Sequence, residues 1–156
     1  MKFLYILGFL WALPMSIFAW MLILVLYFTK QIEKSDVSDS LTFIIDLKNS
    51  GWFCKKAFTE RGWFGFVLGN TIFLVDIDDE RYARALRHEQ EHVYQMYKCG
   101  IFFFALYIIE SLRIYMFVKE EHSYYDNWFE VEARRAAGQP IQIPKSFWKD
   151  DRWIWW

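Results

Sequence analysis

The chain has 156 residues, enough for one domain. It is 55% hydrophobic and 22% aromatic, above the roughly 45–50% apolar share of an ordinary soluble domain, which points to a membrane. Eighteen Lys and Arg against nineteen Asp and Glu leave a net charge of −1 without the basic stripe that nucleic-acid binding needs; two cysteines exclude a disulfide scaffold and any C-x-x-C motif.

Residues 3–28 hold no ionisable side chain except Tyr5 and Tyr27. About 20 apolar residues cross the hydrocarbon core of a bilayer, so residues 1–30 read as an uncleaved, single-pass transmembrane anchor, kinked near its middle by Pro14. A cleaved signal peptide is the rival reading. The apolar run is too long for one, and no small-x-small pair precedes a cut before Lys30. Lys2 stands on one side and Lys30 and Lys34 on the other. The basic-residue count therefore leans towards a cytoplasmic C-terminal domain.

Residues 31–40 read as a polar linker opening a second domain, 31–156. Residues 41–47 are β-branched and aromatic and predict a strand, closed by Lys48-Asn49-Ser50-Gly51. Residues 51–62 are irregular or a short helix. Residues 63–68 and 71–75 predict two further strands joined as an antiparallel hairpin by Gly69-Asn70, both of which tolerate positive φ. Asp78 or Asp79 can cap a charged helix running to Cys99, with Gly100 at its C-terminal stop. Residues 101–118 form a second apolar stretch interrupted by Glu110 and Arg113, which can pair at i,i+3. This stretch reads as a buried or membrane-associated helix. Asp126 or Asn127 caps a last helix that carries Glu130 in its first turn and stops at Gly138. The tail, residues 145–156, sets Trp148, Trp153, Trp155 and Trp156 among charges, either as a second membrane contact or as an aromatic flap over the core. The expected fold is α+β: an N-terminal transmembrane helix, short antiparallel strands, and two helices that carry the chemistry.

That chemistry is concentrated in His88-Glu89-Gln90-Glu91-His92. On a helix, positions i and i+4 share a face one turn apart, so both imidazoles can reach one ion. Two of the three histidines in the chain fall at this spacing. Zinc accepts such nitrogens and, in catalytic sites, keeps one position open. Glu89 is placed to act as general base towards water and then to protonate the leaving amine. A third ligand must come from elsewhere. Glu130 is favoured, because the positive end of its helix suits a carboxylate and Ala133 lets that helix approach closely. Glu132 and His122 are the alternatives, Glu132 pointing about 100° per residue away from Glu130's direction. Tyr124 or Tyr125 could supply a phenol donor to an oxyanion. Gln95, one turn below His92, could hydrogen-bond near the site, with a packing contact as the favoured reading.

His88-Glu-Gln-Glu-His92 followed by Glu130-Val-Glu-Ala133 resembles the gluzincin metallopeptidases and their H-E-x-x-H…E-x-x-A pattern, among them the membrane-anchored E-x-x-A-D family and the ImmA/IrrE family with E-x-x-A-N. The longer string, with Tyr124-Tyr125-Asp126-Asn127 and the Trp11-Ala-Leu-Pro14 segment, is similar to small uncharacterised bacterial and phage membrane proteins. The resemblance covers the anchor and residues 65–138. It implies a minimal zincin fold, zinc ligands His88, His92 and Glu130, base Glu89, and a protein or peptide substrate cleaved near the membrane lipid. The other class of reading is a zinc-stabilised membrane protein that binds a partner without turnover, such as a phage or plasmid effector. Arg134 departs from the family's Asp or Asn. The outer carboxylate that usually holds a zinc histidine then has no counterpart, unless Asp126 or Asn127 supplies it.

Overall fold

The computed structural model describes residues 2–32, 35–38, 42–47, 50–58, 60, 65–75, 79–118 and 122–141. The tail at 145–156 lies outside them, as do Trp63 and Asp78. The elements are α1 (Lys2–Phe28), β1 (Ser35–Ser38), β2 (Thr42–Asp46), α2 (Trp52–Ala57), β3 (Gly65–Leu68), β4 (Thr71–Leu74), α3 (Asp79–Cys99), a 3-10 turn (Gly100–Phe102), α4 (Phe103–Phe117) and α5 (Trp128–Ala136). The class is α+β.

The four strands form one sheet in the order β1-β2-β4-β3. The β3–β4 hairpin is the expected one, with Leu68 opposite Thr71. Only Gly69 uses positive φ, at +59°, which suits a turn with glycine at its first central position. The sheet departs from the expectation of purely antiparallel strands: β2 pairs in parallel with β4, Ile44 beside Ile72. The chain between them passes through α2 and β3, a connection long enough for a crossover that a tight hairpin cannot make. Part of the expected linker is also a strand, since Ser35–Ser38 pairs antiparallel with β2. A short polar strand of this kind serves as an outer edge.

Residues of alternating parity divide the core. Ile44, Ile72 and Leu74 join Val93, Met96 and Tyr97 of α3, together with Ala12 and Phe103. Ile45, Phe73 and Val75 join Leu26, Ile32, Leu47 and Cys54 on the other side. This period of two is what places every β4 residue in contact with one layer or the other, and all four are buried.

Helix α1 lies along this body. Its buried positions Gly8, Ala12, Ser16 and Ala19 recur every three or four residues, the interval that lines up small side chains on one face. They allow close approach: a Cβ on Gly8 would sit 2.8 Å from Tyr97 Cβ. Trp11 meets Phe102 with ring centroids 6.0 Å apart. Ser16 Oγ accepts from Asn70 N at 3.1 Å and donates to Ala12 O at 3.3 Å. The opposite face is exposed and apolar, including Leu10, Phe18, Leu24 and Val25. By length and composition two helical segments could cross a membrane, Ile6–Phe28 and a window within Arg81–Phe117. Helix α4 is likewise exposed and apolar at Ile108, Ile109, Leu112 and Met116. Its one acid and one base satisfy each other, Arg113 donating twice to Glu110 at 2.8 Å.

Candidate metal centre

Helix α3 is polar on its outside and buries His88, Glu89, His92, Val93, Gln95 and Met96, the spacing of one continuous helical face. Helix α5 packs against it. Asn127 starts α5, its side chain accepting from Phe129 N at 3.0 Å. The Asn127 amide also donates to Tyr107 O at 3.0 Å and Ser111 Oγ at 2.7 Å, tying α5 to α4. Gly138, at φ +65°, closes α5 as expected. Fully buried Ala133 leaves α5 a smooth contact surface, and Glu130 in the first turn is only 3% exposed.

The two helices bring three donors together. His88 Nε2 lies 3.4 Å from Glu130 Oε2, and His92 Nε2 lies 3.3 Å from Glu130 Oε1. One ligand atom from each residue falls within 4.8 Å of the others, and all three residues are buried. This cluster could hold a metal ion. The N···O separations exceed the roughly 2.7–2.9 Å of a good charge-assisted hydrogen bond. Glu130 Oε2 and His88 Nδ1 are buried with no hydrogen-bond partner among the described residues. Two imidazoles and a carboxylate at these longer separations form a donor set of the kind a metal ion takes.

The electrostatics agree. Burial alone would raise the Glu130 carboxyl, but His88 and His92, each close to one of its oxygens, outweigh it and hold the group far below the usual carboxylate range. Burial would lower His92, and Glu130 and Glu89 more than offset it, so its pKa rises. Glu89 is raised by burial, partly opposed by both histidines. It thus sits beside the cluster as the more basic of the two acids. Strand β3 passes over it: a Cβ on Gly65 would lie 2.8 Å from Glu89 Oε1.

The surrounding groups sort out the open alternatives. His122 is outside the cluster; its Nδ1 accepts from Tyr124 N at 3.2 Å, and its own N–H donates to Asp126 Oδ2 at 2.6 Å. Glu132 faces Gln95 instead, accepting from Nε2 at 3.1 Å. Asp126 and Asn127, occupied as described, do not support a histidine. Gln95 does: its Oε1 is 2.8 Å from His92 Nδ1. Arg134 lies 3.7 Å from Glu130 Oε2, while donating to Tyr125 O at 2.9 Å and lying over the Tyr125 ring at 4.5 Å. Tyr124 is nearly half exposed, yet its phenol is raised by burial and by the adjacent Glu130. Tyr107 is the residue that sequence reasoning missed. Its hydroxyl donates to Glu130 Oε1 at 2.8 Å, and nothing in an apolar stretch marks one tyrosine as a partner of a distant acid.

No protein-family model, curated protein or solved structure matches the chain.

Proposed function

We propose that this chain is a membrane-anchored zinc metalloendopeptidase of gluzincin type, acting on protein or peptide substrates near the bilayer surface. The observation that carries the reading is the buried His88–His92–Glu130 cluster with Glu89 beside it on the same helix. Four donors around zinc at about 2.0–2.1 Å stand roughly 3.3 Å apart, and each histidine stands close to that distance from a different Glu130 oxygen, His88 3.4 Å from Oε2 and His92 3.3 Å from Oε1. Two imidazoles and one carboxylate are also a known catalytic zinc set. Zinc bound there would supply a Lewis acid that acidifies water and polarises a carbonyl.

The chain's own residues do the rest. Glu89, kept basic by burial, takes a proton from the attacking water and returns it to the leaving amine. Tyr124, protonated over the working pH range, offers its hydroxyl to the developing oxyanion. Arg134 and Tyr107 hold the Glu130 carboxylate. Strand β3 is an edge of the sheet, so an extended peptide can pair with it and pass Glu89.

Membrane attachment is supported by the exposed apolar faces of α1 and α4, larger than a water-soluble surface tolerates. Because α1 packs along the body that carries α3, the site stands beside the membrane helix and not at the end of a tether. The anchored domain is assigned to the cytoplasmic side of a bacterial inner membrane by the balance of Lys2 against Lys30 and Lys34.

The test is a comparison of zinc-loaded wild type, Glu89→Gln and His92→Ala, full length in detergent, on a mixture of unfolded proteins, with new N-termini as the readout. Glu89→Gln should keep its zinc and lose cleavage by on the order of 10²–10⁴. Equal cleavage by wild type and Glu89→Gln would refute catalysis. If only His92→Ala fails, the cluster holds the fold together and the partner-binding reading replaces the enzyme.

A further inference from the structure

Gln95 holds three hydrogen bonds that between them determine which way its amide points. Nε2 donates to the Phe129 carbonyl at 2.9 Å and to Glu132 Oε2 at 3.1 Å. Both partners are acceptors only, so the nitrogen must face them and Oε1 must face His92 Nδ1, 2.8 Å away. An amide oxygen cannot donate. The neutral His92 ring therefore carries its proton on Nδ1, which leaves Nε2, on the side of Glu130 and the cluster, as the nitrogen free to bind a metal. Gln95 is 1% exposed, so its own amide is shielded from water.

We infer that Gln95 is a positioning residue: it sets the His92 tautomer for metal binding and locks α3 to α5 at the spacing the ligand set needs. The inference rests on the zinc-centre reading above. It also accounts for Arg134. Where a carboxylate on the second helix would hold a ligand histidine directly, this chain interposes the amide, and Glu132 becomes the far end of a relay running His92–Gln95–Glu132. His88, whose Nδ1 has no partner among the described residues, lacks this support, so the relay acts on one ligand alone.

The relay has a polarity that can be inverted. Gln95→Met removes all three bonds at nearly constant volume. Gln95→Glu keeps an acceptor for His92 Nδ1 but sets two carboxylates against each other, since Glu132 Oε2 occupies the position 3.1 Å from the present amide. Adding Glu132→Gln restores a donor opposite the new acid.

The experiment measures zinc affinity of the full-length protein in detergent by chelator competition, with thermal unfolding of the metal-free form recorded alongside. Gln95→Met and Gln95→Glu should each weaken zinc roughly 10–100-fold, the usual effect of losing an outer partner of a ligand. The exchanged pair, Gln95→Glu with Glu132→Gln, should recover to within about ten-fold of wild type. A folded Gln95→Met protein that binds zinc as tightly as wild type would overturn the inference. If that variant fails to fold, the exchanged pair decides: recovery upholds the relay, and a folded but weak-binding pair overturns it. A wild-type chain that takes up no zinc would remove the metal centre itself, and the relay with it.

Discussion

Replacing Gly69 with alanine tests whether α1 is a structural part of the folded body. Gly69 has φ +59°, a conformation that costs an L-residue about 1–2 kcal/mol. A Cβ there would overlap the Ser16 backbone and lie 2.7 Å from the Met15 carbonyl carbon. Helix backbone cannot rotate aside as a side chain can, so overpacking adds about 1–3 kcal/mol. Gly138 is the matched control: its φ is +65°, and nothing lies within 4 Å of the added carbon. Gly138→Ala should therefore cost about 1–2 kcal/mol and Gly69→Ala about 2–5 kcal/mol in total. For a chain of this size these correspond to losses of roughly 4 °C and roughly 10 °C in Tm. Tryptophan fluorescence of the full-length protein in detergent can follow the unfolding. Equal losses in the two variants would mean that α1 does not rest on the β3–β4 turn, and the packing argument would fail.

Three other outcomes follow. Ser16→Ala should cost about 1–3 kcal/mol in the same assay, because Asn70 N loses its acceptor in a buried contact; an unchanged Tm would remove the polar link between α1 and the hairpin. His88→Ala, His92→Ala and Glu130→Gln should each abolish stoichiometric zinc in elemental analysis, while Glu132→Gln should retain it within roughly ten-fold in affinity; comparable losses for Glu130 and Glu132 would sink the ligand assignment. The wild-type chain should stay with membranes through alkaline carbonate washing, and release of the intact protein would refute the anchor.

What could be read in advance was what helix period dictates locally. The i,i+4 histidines, the acid between them and the capped helix bearing Glu130 all depend on residues within two turns of each other. The geometry of such a segment is nearly independent of the rest of the fold. The Gly69 and Gly100 stops were legible for the same reason, since each requires a φ of +59°. Strand partners were not. Whether β2 lies parallel or antiparallel to β4 is decided by the path of the intervening chain, and the polar S-D-V-S of β1 has no apolar face to announce it. Tyr107 was hidden completely, and of Gln95 only its place one turn from His92 was legible, not its partners on α5. Each acts on a residue of a different helix, Tyr107 on Glu130 and Gln95 on Phe129 and Glu132, and only tertiary packing creates those pairs.

The N-terminal helix shows the same limit in a form that decides how a deletion of residues 1–30 would be read. From composition, residues 1–30 are a hydrophobic run and nothing more. In the fold, one stripe of that run serves the protein and the remainder faces outward. Ala12 belongs to the core layer under α3, and Leu26 to the layer on the other side of the sheet. Gly8 and Gly100 are points where α1 approaches Tyr97 and the turn after α3 closely, on the same helix that carries His88 and His92. Deleting residues 1–30 would therefore uncover both core layers as well as remove the segment long and apolar enough to cross a membrane. A truncated protein that leaves the membrane but also loses zinc would report the missing packing surface, not an independent soluble domain. The small residues on α1 set the helix that carries His88 and His92 against a segment long and apolar enough to cross a membrane, so removing that segment tests the packing of the body and its attachment at once.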